Sequence, residues 1–182
     1  KELENEIKNI KDYTYLVLTS KNGVDIFFDK LDELGLDCRA LANIKVCSIG
    51  AATSKAIQRR GIKPDIQPKN AVGESLYDEL KDIVTKDDKI LIPRAKNARK
   101  FLVEKLNEIS NVTEVITYES VMDDSKKEEA IKALEEGNLD YITFASSSTV
   151  TNFIKLIGEE NKDKLSNTKI ISIGRITTKT IL

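Results

Sequence analysis

At 182 residues, 40% of them hydrophobic and 32% charged, the chain has enough apolar content for packed cores and the length of one large domain or two small ones. Its 29 lysines and arginines nearly balance 30 aspartates and glutamates, and aromatics make up 5% with no tryptophan, so it has neither the basic footprint nor the stacking platforms of a nucleic-acid binder. Histidine is absent, which excludes Ser-His and Cys-His nucleophile pairs and imidazole metal sites; any chemistry falls to carboxylates, lysine, tyrosine, hydroxyls or backbone amides. No apolar run approaches the roughly 18 residues of a membrane span, and no signal peptide is visible. Cys38 and Cys47 lack zinc-ribbon spacing and read as plain thiols of a reducing cytoplasm.

Leu3, Ile7 and Ile10 mark one face of a short helix within Lys1–Lys11. Tyr15–Thr19 is an apolar run of strand length, expected to be buried on both faces. Ser20 then caps a helix to about Leu34, with Val24, Phe27, Phe28 and Leu31 inward and Gly35 as its stop. Lys45–Ile49 is the next strand, Gly50 a turn, and a helix with Thr53 near its start ends at Gly61. Pro64 and Pro68 bracket a short strand at Asp65–Gln67; Glu74–Val84 is helical; Lys89–Ile92 is a strand ending at Pro93-Arg94. Ala98–Ile109 is amphipathic and Val112–Tyr118 is a fifth strand. Strands alternating with helices predict a parallel sheet, so residues 1–117 form a flavodoxin-like α/β domain.

The charged stretch 118–125, with Asp123-Asp124 as a solvated turn, reads as a crossover. Beyond it come a helix at Lys126–Glu136, a strand at Asp140–Ala145, a helix at Ser148–Ile157, a strand at Lys169–Ile173 and a helix from Thr177. Two strands make no independent sheet of the first kind, so 126–182 is expected to be part of a second α/β domain. Elements before Lys1 and after Leu182 would complete it; the first residue is not Met, and the sole Met is at 122.

The chain also repeats itself. Residues 15–31 and 141–157 align so that Tyr15 meets Tyr141, Ser20 meets Ser146, Val24 meets Val150 and Phe27 meets Phe153; V-C-S-I-G-A-A-T at 46–53 answers I-I-S-I-G-R-I-T at 170–177. In open parallel sheets ligands bind beyond the carboxyl ends of the strands, where helix starts present free N–H groups. The residues there are Ser20-Lys21-Asn22, Gly50–Thr53, Arg94–Asn97, Ser146–Thr149 and Gly174–Thr177. Hydroxyls, amides and occasional cations suit an anionic ligand. Taken singly, each serine or threonine is equally an ordinary N-cap; recurrence in both copies favours a site. No G-x-G-x-x-G or G-x-x-x-x-G-K-[ST] is present, and the strand ends lack the acidic residues of a divalent-cation site.

L-T-S-K-N-G-V at 18–24, S-I-G-A-A-T at 48–53, L-I-P-R-A at 91–95 followed by Ala98-Arg99, T-Y at 117–118, T-F-A-S-S-S-T-V-x-N-F at 143–153 and S-I-G-R-I-T at 172–177 together resemble the uroporphyrinogen-III synthase family. The resemblance covers essentially the whole chain, its motifs in register. It implies two flavodoxin-like parallel-sheet domains joined by a two-stranded linker, the second incomplete in this sequence. It further implies a hydro-lyase of tetrapyrrole biosynthesis, serving heme, siroheme and cobalamin. Such an enzyme closes linear hydroxymethylbilane into uroporphyrinogen III, inverting the last pyrrole ring and losing water, with no metal or other cofactor. A cytoplasmic monomer is expected, with fusion to a uroporphyrinogen methyltransferase one source of further chain.

The family's tyrosine maps to Tyr118, expected to hydrogen-bond the departing hydroxyl; packing between domains is its other reading. Ser20, Thr53, Ser146 and Thr177 match the family's hydroxyls. With Lys21, Asn22, Arg94, Ser147 and Arg175 they are expected to hold or orient the poly-carboxylate substrate. Two other readings stay open on the residues alone. A phosphosugar-isomerase-like enzyme is suggested by Ser146–Thr149 but needs a placed glutamate and one continuous sheet. A two-domain module binding small anions would close without chemistry.

Overall fold

Four residues in a row, Tyr15–Leu18, are buried, and a strand buried on both faces has to lie inside a parallel sheet. The computed structural model, which describes residues 1–119, 121, 123–137 and 139–182, divides into two compact units, Lys1–Ser120 and Val121–Leu182. In the first, helix α1 (Glu2–Lys8) and a 3-10 turn at Ile10–Asp12 lead into β1 (Tyr15–Leu18), α2 (Lys21–Glu33), β2 (Lys45–Ser48) and α3 (Ala51–Arg59). Then come α4 (Gly73–Leu80), β3 (Lys89–Ala95), α5 (Phe101–Asn107) and β4 (Asn111–Tyr118).

The strands are parallel in the order β2-β1-β3-β4. Leu16 and Leu18 meet Val24, Phe27, Phe28 and Leu31 of α2 on one face of the sheet. Val17, Cys47, Ile90 and Ile92 meet Leu76 and Leu80 of α4 and Leu102 and Leu106 of α5 on the other. Helices on both faces complete the α/β architecture. The left-handed conformation of Gly35 (φ 72°) ends α2 as expected.

Two expectations about the strands change. The short strand expected at Asp65–Gln67 is reduced to one parallel bridge between Ile66 and Cys47. The Asp65 N–H donates to the Val46 carbonyl (2.8 Å) and the Ser48 N–H to the Ile66 carbonyl (2.9 Å), and no ladder continues from there. Pro64 and Pro68, lacking N–H groups, flank the bridge and limit it. Conversely, β3 does not stop at Ile92 but runs through Pro93 and Arg94 to Ala95. Lys89 turns its carbonyl to Thr14, so by two-residue alternation Pro93 also faces the β1 side. Pairing with β1 ends at Leu91, while pairing with β4 continues to Ala95, so the proline sits where its missing donor is not needed.

The second unit contains α6 (Lys127–Glu135), β5 (Tyr141–Phe144), α7 (Ser147–Ile157), a 3-10 segment at Glu159–Leu165, β6 (Lys169–Ser172) and α8 (Arg175–Ile181). From its first strand on, the succession of strand, helix, 3-10 segment, strand and helix reproduces the first unit from β1 to α3, where a 3-10 turn at Cys38–Leu41 lies between α2 and β2, so the repeat is longer than its two sequence phrases. The likeness reaches side chains. Tyr15 pairs with Lys45 and Tyr141 with Lys169, and each lysine ammonium lies over its tyrosine ring, at 5.5 and 5.3 Å. The copies differ at the edge where β1 meets β3: among the described residues β5 pairs with β6 alone. Tyr141 is accordingly 55% exposed where Tyr15 is 3%, and Ile171 is 49% exposed where Cys47 is fully buried. The crossover expected at 118–125 forms no strand at its described residues beyond Tyr118. No helix among the described residues is long and apolar enough to cross a membrane.

Cys47 and Cys38 are both free. Burial, with the Asp65 carboxylate adding to it, pushes the Cys47 thiol up to about 12. At pH 8 it is therefore a closed-off thiol, and deprotonation at its native position begins only far above that. Iodoacetamide at pH 8 should label the folded protein once, at the half-buried Cys38, and label both cysteines in urea, as read by peptide mass spectrometry.

Candidate functional site

In the first unit the strand order reverses between β1 and β3, and the crevice beyond their carboxyl ends is where such sheets bind ligands. Ser20 follows β1 after a single residue, Thr19. Its extended backbone (φ −157°, ψ 156°) makes it the N-cap of α2, and its Oγ accepts the Gly23 N–H (3.0 Å). Lys21 and Asn22, in the first turn of α2, are exposed. Across the crevice a cavity of about 280 Å³ lies against Thr19, Ile49, Val72, Arg94, Arg99 and Phe101. Arg99 and Glu74, both on its lining, form an ion pair (2.6 Å).

Arg94 is only 2% exposed. Its Nη1 donates to Glu114 of β4 and its Nη2 to the Ala98 carbonyl, so the guanidinium ties β3 and β4 to the loop that carries Arg99. Its charge is already engaged within the protein. In the sequence, Glu114 is a carboxylate interrupting an apolar strand, and that was the available sign of an inward-facing cation on the neighbouring strand.

Tyr118 reaches the crevice through an irregularity. Arg94 pairs with Ile116 but Ala95 with Tyr118, which leaves Thr117 as an extra residue whose Oγ1 donates to the Arg94 carbonyl (3.2 Å). Regular alternation would put Tyr118 on the face of Glu114 and Ile116; the bulge resets it toward α2. The phenol oxygen of Tyr118 thereby lies 2.9 Å from Ser20 Oγ. The structure thus joins two predicted residues that are 98 positions apart in sequence, through a bulge that no local pattern announces.

Thr53 is buried in the first turn of α3. The residue before this helix, Gly50, lies so close to Ala71 that a Cβ on it would approach the Ala71 Cβ to 2.5 Å. The polar work beside Thr53 belongs to residues that the sequence did not single out: Ser48 and Ser54 share a hydrogen bond (2.5 Å), and Ser54 donates to Gln67. The second unit repeats this pair as Ser172 and Thr178, 2.6 Å apart. There Ser146 caps α7 in a reciprocal box with Thr149, the two N–H···O bonds both 3.2 Å. Ser147 donates to the Ile176 carbonyl (3.3 Å), Arg175 is exposed in the first turn of α8, and Thr177 is buried.

A feature of charge separates these helix starts from the others. The helices that follow β1, β2, β5 and β6 (α2, α3, α7 and α8) have no acidic residue in the first turn. The remaining helices, α1, α4, α5 and α6, each carry at least one there. An acid in the first turn neutralises the positive end of the helix dipole; four starts without one keep that partial charge for an external anion. Among the described residues no cluster of metal-ligating side chains occurs.

The family model described as uroporphyrinogen-III synthase HemD matches residues 1–182. A porphyrin biosynthesis protein HemD of Ruminiclostridium josui is 37% identical over 149 residues, covering 81% of this chain and 29% of that protein. A uroporphyrinogen-III synthase of Synechococcus elongatus is 28% identical over 186 residues, covering 98% of this chain and 69% of that protein. The chain therefore spans under a third of the first relative and about two thirds of the second. In structure it is similar to a mutant uroporphyrinogen III synthase of Thermus thermophilus, with a TM-score of 0.64 at 18% identity over 97% of this chain and 71% of that one. That likeness extends to the α/β fold with parallel sheets.

Removing one partner of the Arg94–Glu114 pair strands the other. Arg94→Met should cost about 3 kcal/mol, the low end for a broken buried pair because Glu114 keeps some solvent contact. The double variant Arg94→Met/Glu114→Gln should regain most of that loss in urea unfolding.

Proposed function

The chain belongs to the uroporphyrinogen-III synthase family, and from that premise we propose that the full-length protein cyclises hydroxymethylbilane to uroporphyrinogen III with loss of water. The observation that carries this reading is the set of acid-free helix starts at equivalent strand ends of both units. The substrate is a poly-carboxylate, and uncompensated backbone N–H groups suit its acetate and propionate arms. In this reading Lys21, Asn22, Ser147 and Arg175 contribute from the same helix starts. The hydroxyls of Ser20, Thr53, Ser146 and Thr177 shape and polarise those starts. Arg94 serves from beneath, by fixing the Ala98 loop.

The chemistry asks little of acids and bases. Departure of the terminal hydroxyl leaves an azafulvenium cation stabilised by its pyrrole nitrogen, and one phenol can assist by hydrogen-bonding the leaving oxygen. Tyr118 is that group in our proposal. The larger task is to hold the chain curled so that closure occurs at the substituted pyrrole carbon, which is a matter of positioning. No residue is assigned as a nucleophile, because among the described residues no carboxylate or amine is hydrogen-bonded to Ser20 or Ser146. A cofactor-free monomer in the cytoplasm accords with this chemistry and with two free thiols. We further propose that the sheet of the second unit is completed along the open edge of β5, since the first-unit counterparts of Tyr141 and Ile171 are buried.

The isomerase alternative needs one continuous sheet, whereas the described strands form two. The anion-binding alternative is distinguished by turnover. The full-length protein given freshly generated hydroxymethylbilane should yield isomer III in place of the spontaneous isomer I; binding without isomer III would sink the synthase reading. Tyr118→Phe should lower that turnover about 10- to 100-fold, as measured by chromatography of the oxidised porphyrins.

A further inference from the structure

Ser20 stands at the junction of two hydrogen bonds that do different things. As N-cap it accepts the Gly23 N–H at 3.0 Å, and the same Oγ lies 2.9 Å from the Tyr118 oxygen. Residue 23 leaves room for this: a Cβ there would come within 3.1 Å of Ser20 Oγ. A serine hydroxyl has one proton to give and two lone pairs to receive with. One lone pair is taken by the amide, and accepting that N–H at the positive end of α2 strengthens the hydroxyl as a donor.

We propose that Ser20 is a positioning residue for Tyr118: its O–H donates to the phenol oxygen, so that the phenol proton is free and directed at the substrate's departing hydroxyl. The proposal rests on the synthase reading and on the assignment of Tyr118 to that hydroxyl. In the step it describes, the carbon–oxygen bond of the hydroxymethyl group breaks with its electron pair on oxygen. The oxygen takes the Tyr118 proton and leaves as water, the carbon remains as the azafulvenium, and the phenolate is held by the Ser20 O–H. After ring closure, the proton lost as the pyrrole regains aromaticity returns to the phenolate. Protons and electrons balance without an outside reactant.

A cap and a proton-directing donor are separable by substitution. Ser20→Ala removes both roles. Ser20→Asp keeps the cap, since aspartate caps as well as serine, but has no proton to give and would instead draw the tyrosine proton to itself. Ser20→Thr keeps the hydroxyl and the cap. In the full-length protein, Ser20→Ala should lower kcat about 10-fold with KM changed less than about twofold, as expected for one lost hydrogen bond at the transition state. Ser20→Asp should be at least as slow as Ser20→Ala while melting within a few degrees of the parent, and Ser20→Thr should recover most of the lost rate. In the Tyr118→Phe background Ser20→Ala should cost less than about twofold, because the group it serves is gone.

Equal costs of Ser20→Ala in both backgrounds, or an Asp variant as fast as the parent, would overturn the proposal and leave Tyr118 in place. Parental turnover by Tyr118→Phe would remove Tyr118 from the reaction and Ser20 with it. Formation of no isomer III by the parent would refute the synthase reading itself, and the proposal would fall with it.

Discussion

The position of β1 governs the rest of the first unit. It is paired on both edges, to β2 and to β3, and buried on both faces, so its carboxyl end is the one point in the sheet that neighbouring elements cannot avoid. The chain leaves β1 toward β2 and later returns to the other side through β3, which opens the crevice above the pair. Ser20 lies just past the end of the strand and has no freedom to be elsewhere. Tyr118 comes to it from the far strand, across Pro93 and Arg94, and needs the Thr117 bulge to do so. A hydrogen bond between residues 98 positions apart is in this sense a readout of the whole sheet order.

Repetition without a central strand explains how the second unit differs. It copies helix, strand and cap down to a lysine over a tyrosine ring, yet β5 has one described neighbour where β1 has two. Phe144 and Val150, on the face shared with α7, are buried, while Tyr141 and Ile171 are not. The second face and the second edge are what the first unit gains from β3, α4 and α5, all of which come later in its sequence than the repeated portion. Local sequence therefore specifies the repeat faithfully, and burial depends on what the remaining chain supplies.

Much of this is legible in the sequence. Apolar runs with Ser or Gly at their ends mark the strands, and the spacing of Val24, Phe27, Phe28 and Leu31 marks the inner face of α2. These are short-range signals, and short-range physics decides them. The misreadings arise where partners decide instead. Asp65–Gln67 looks like a strand by its flanking prolines, but the same prolines hold it to one bridge. Pro93 looks like a terminator, but the ladder on its side has already ended, so β3 continues. The burial of Arg94 and its pairing are hard to read because its partner, Glu114, stands on a different strand. Tyr118 is found by resemblance alone; its aim depends on one extra residue in a ladder, which leaves no mark in composition or period.

The lack of histidine then acquires a physical account. A site that uses backbone N–H groups and hydroxyls does not change its charge anywhere near neutral pH, and it attracts a poly-anion without offering a strong base. Fixed cations would bind the same carboxylates more tightly, but they would hold substrate and product alike, and uniform binding does not accelerate a step. Here the most deeply buried arginine is neutralised within the protein, and the exposed Arg99 is paired with Glu74. In the proposed site, affinity is spread over weak partial charges at several helix starts, with Lys21 and Arg175 beside them. Such spreading favours the arrangement in which all arms of a flexible chain are seated together over arrangements in which only some are. In the proposed cyclisation, whose difficulty is which carbon meets which, selection of one curled conformation would be the larger part of catalysis, and a single hydroxyl-backed phenol would suffice for the bond that breaks.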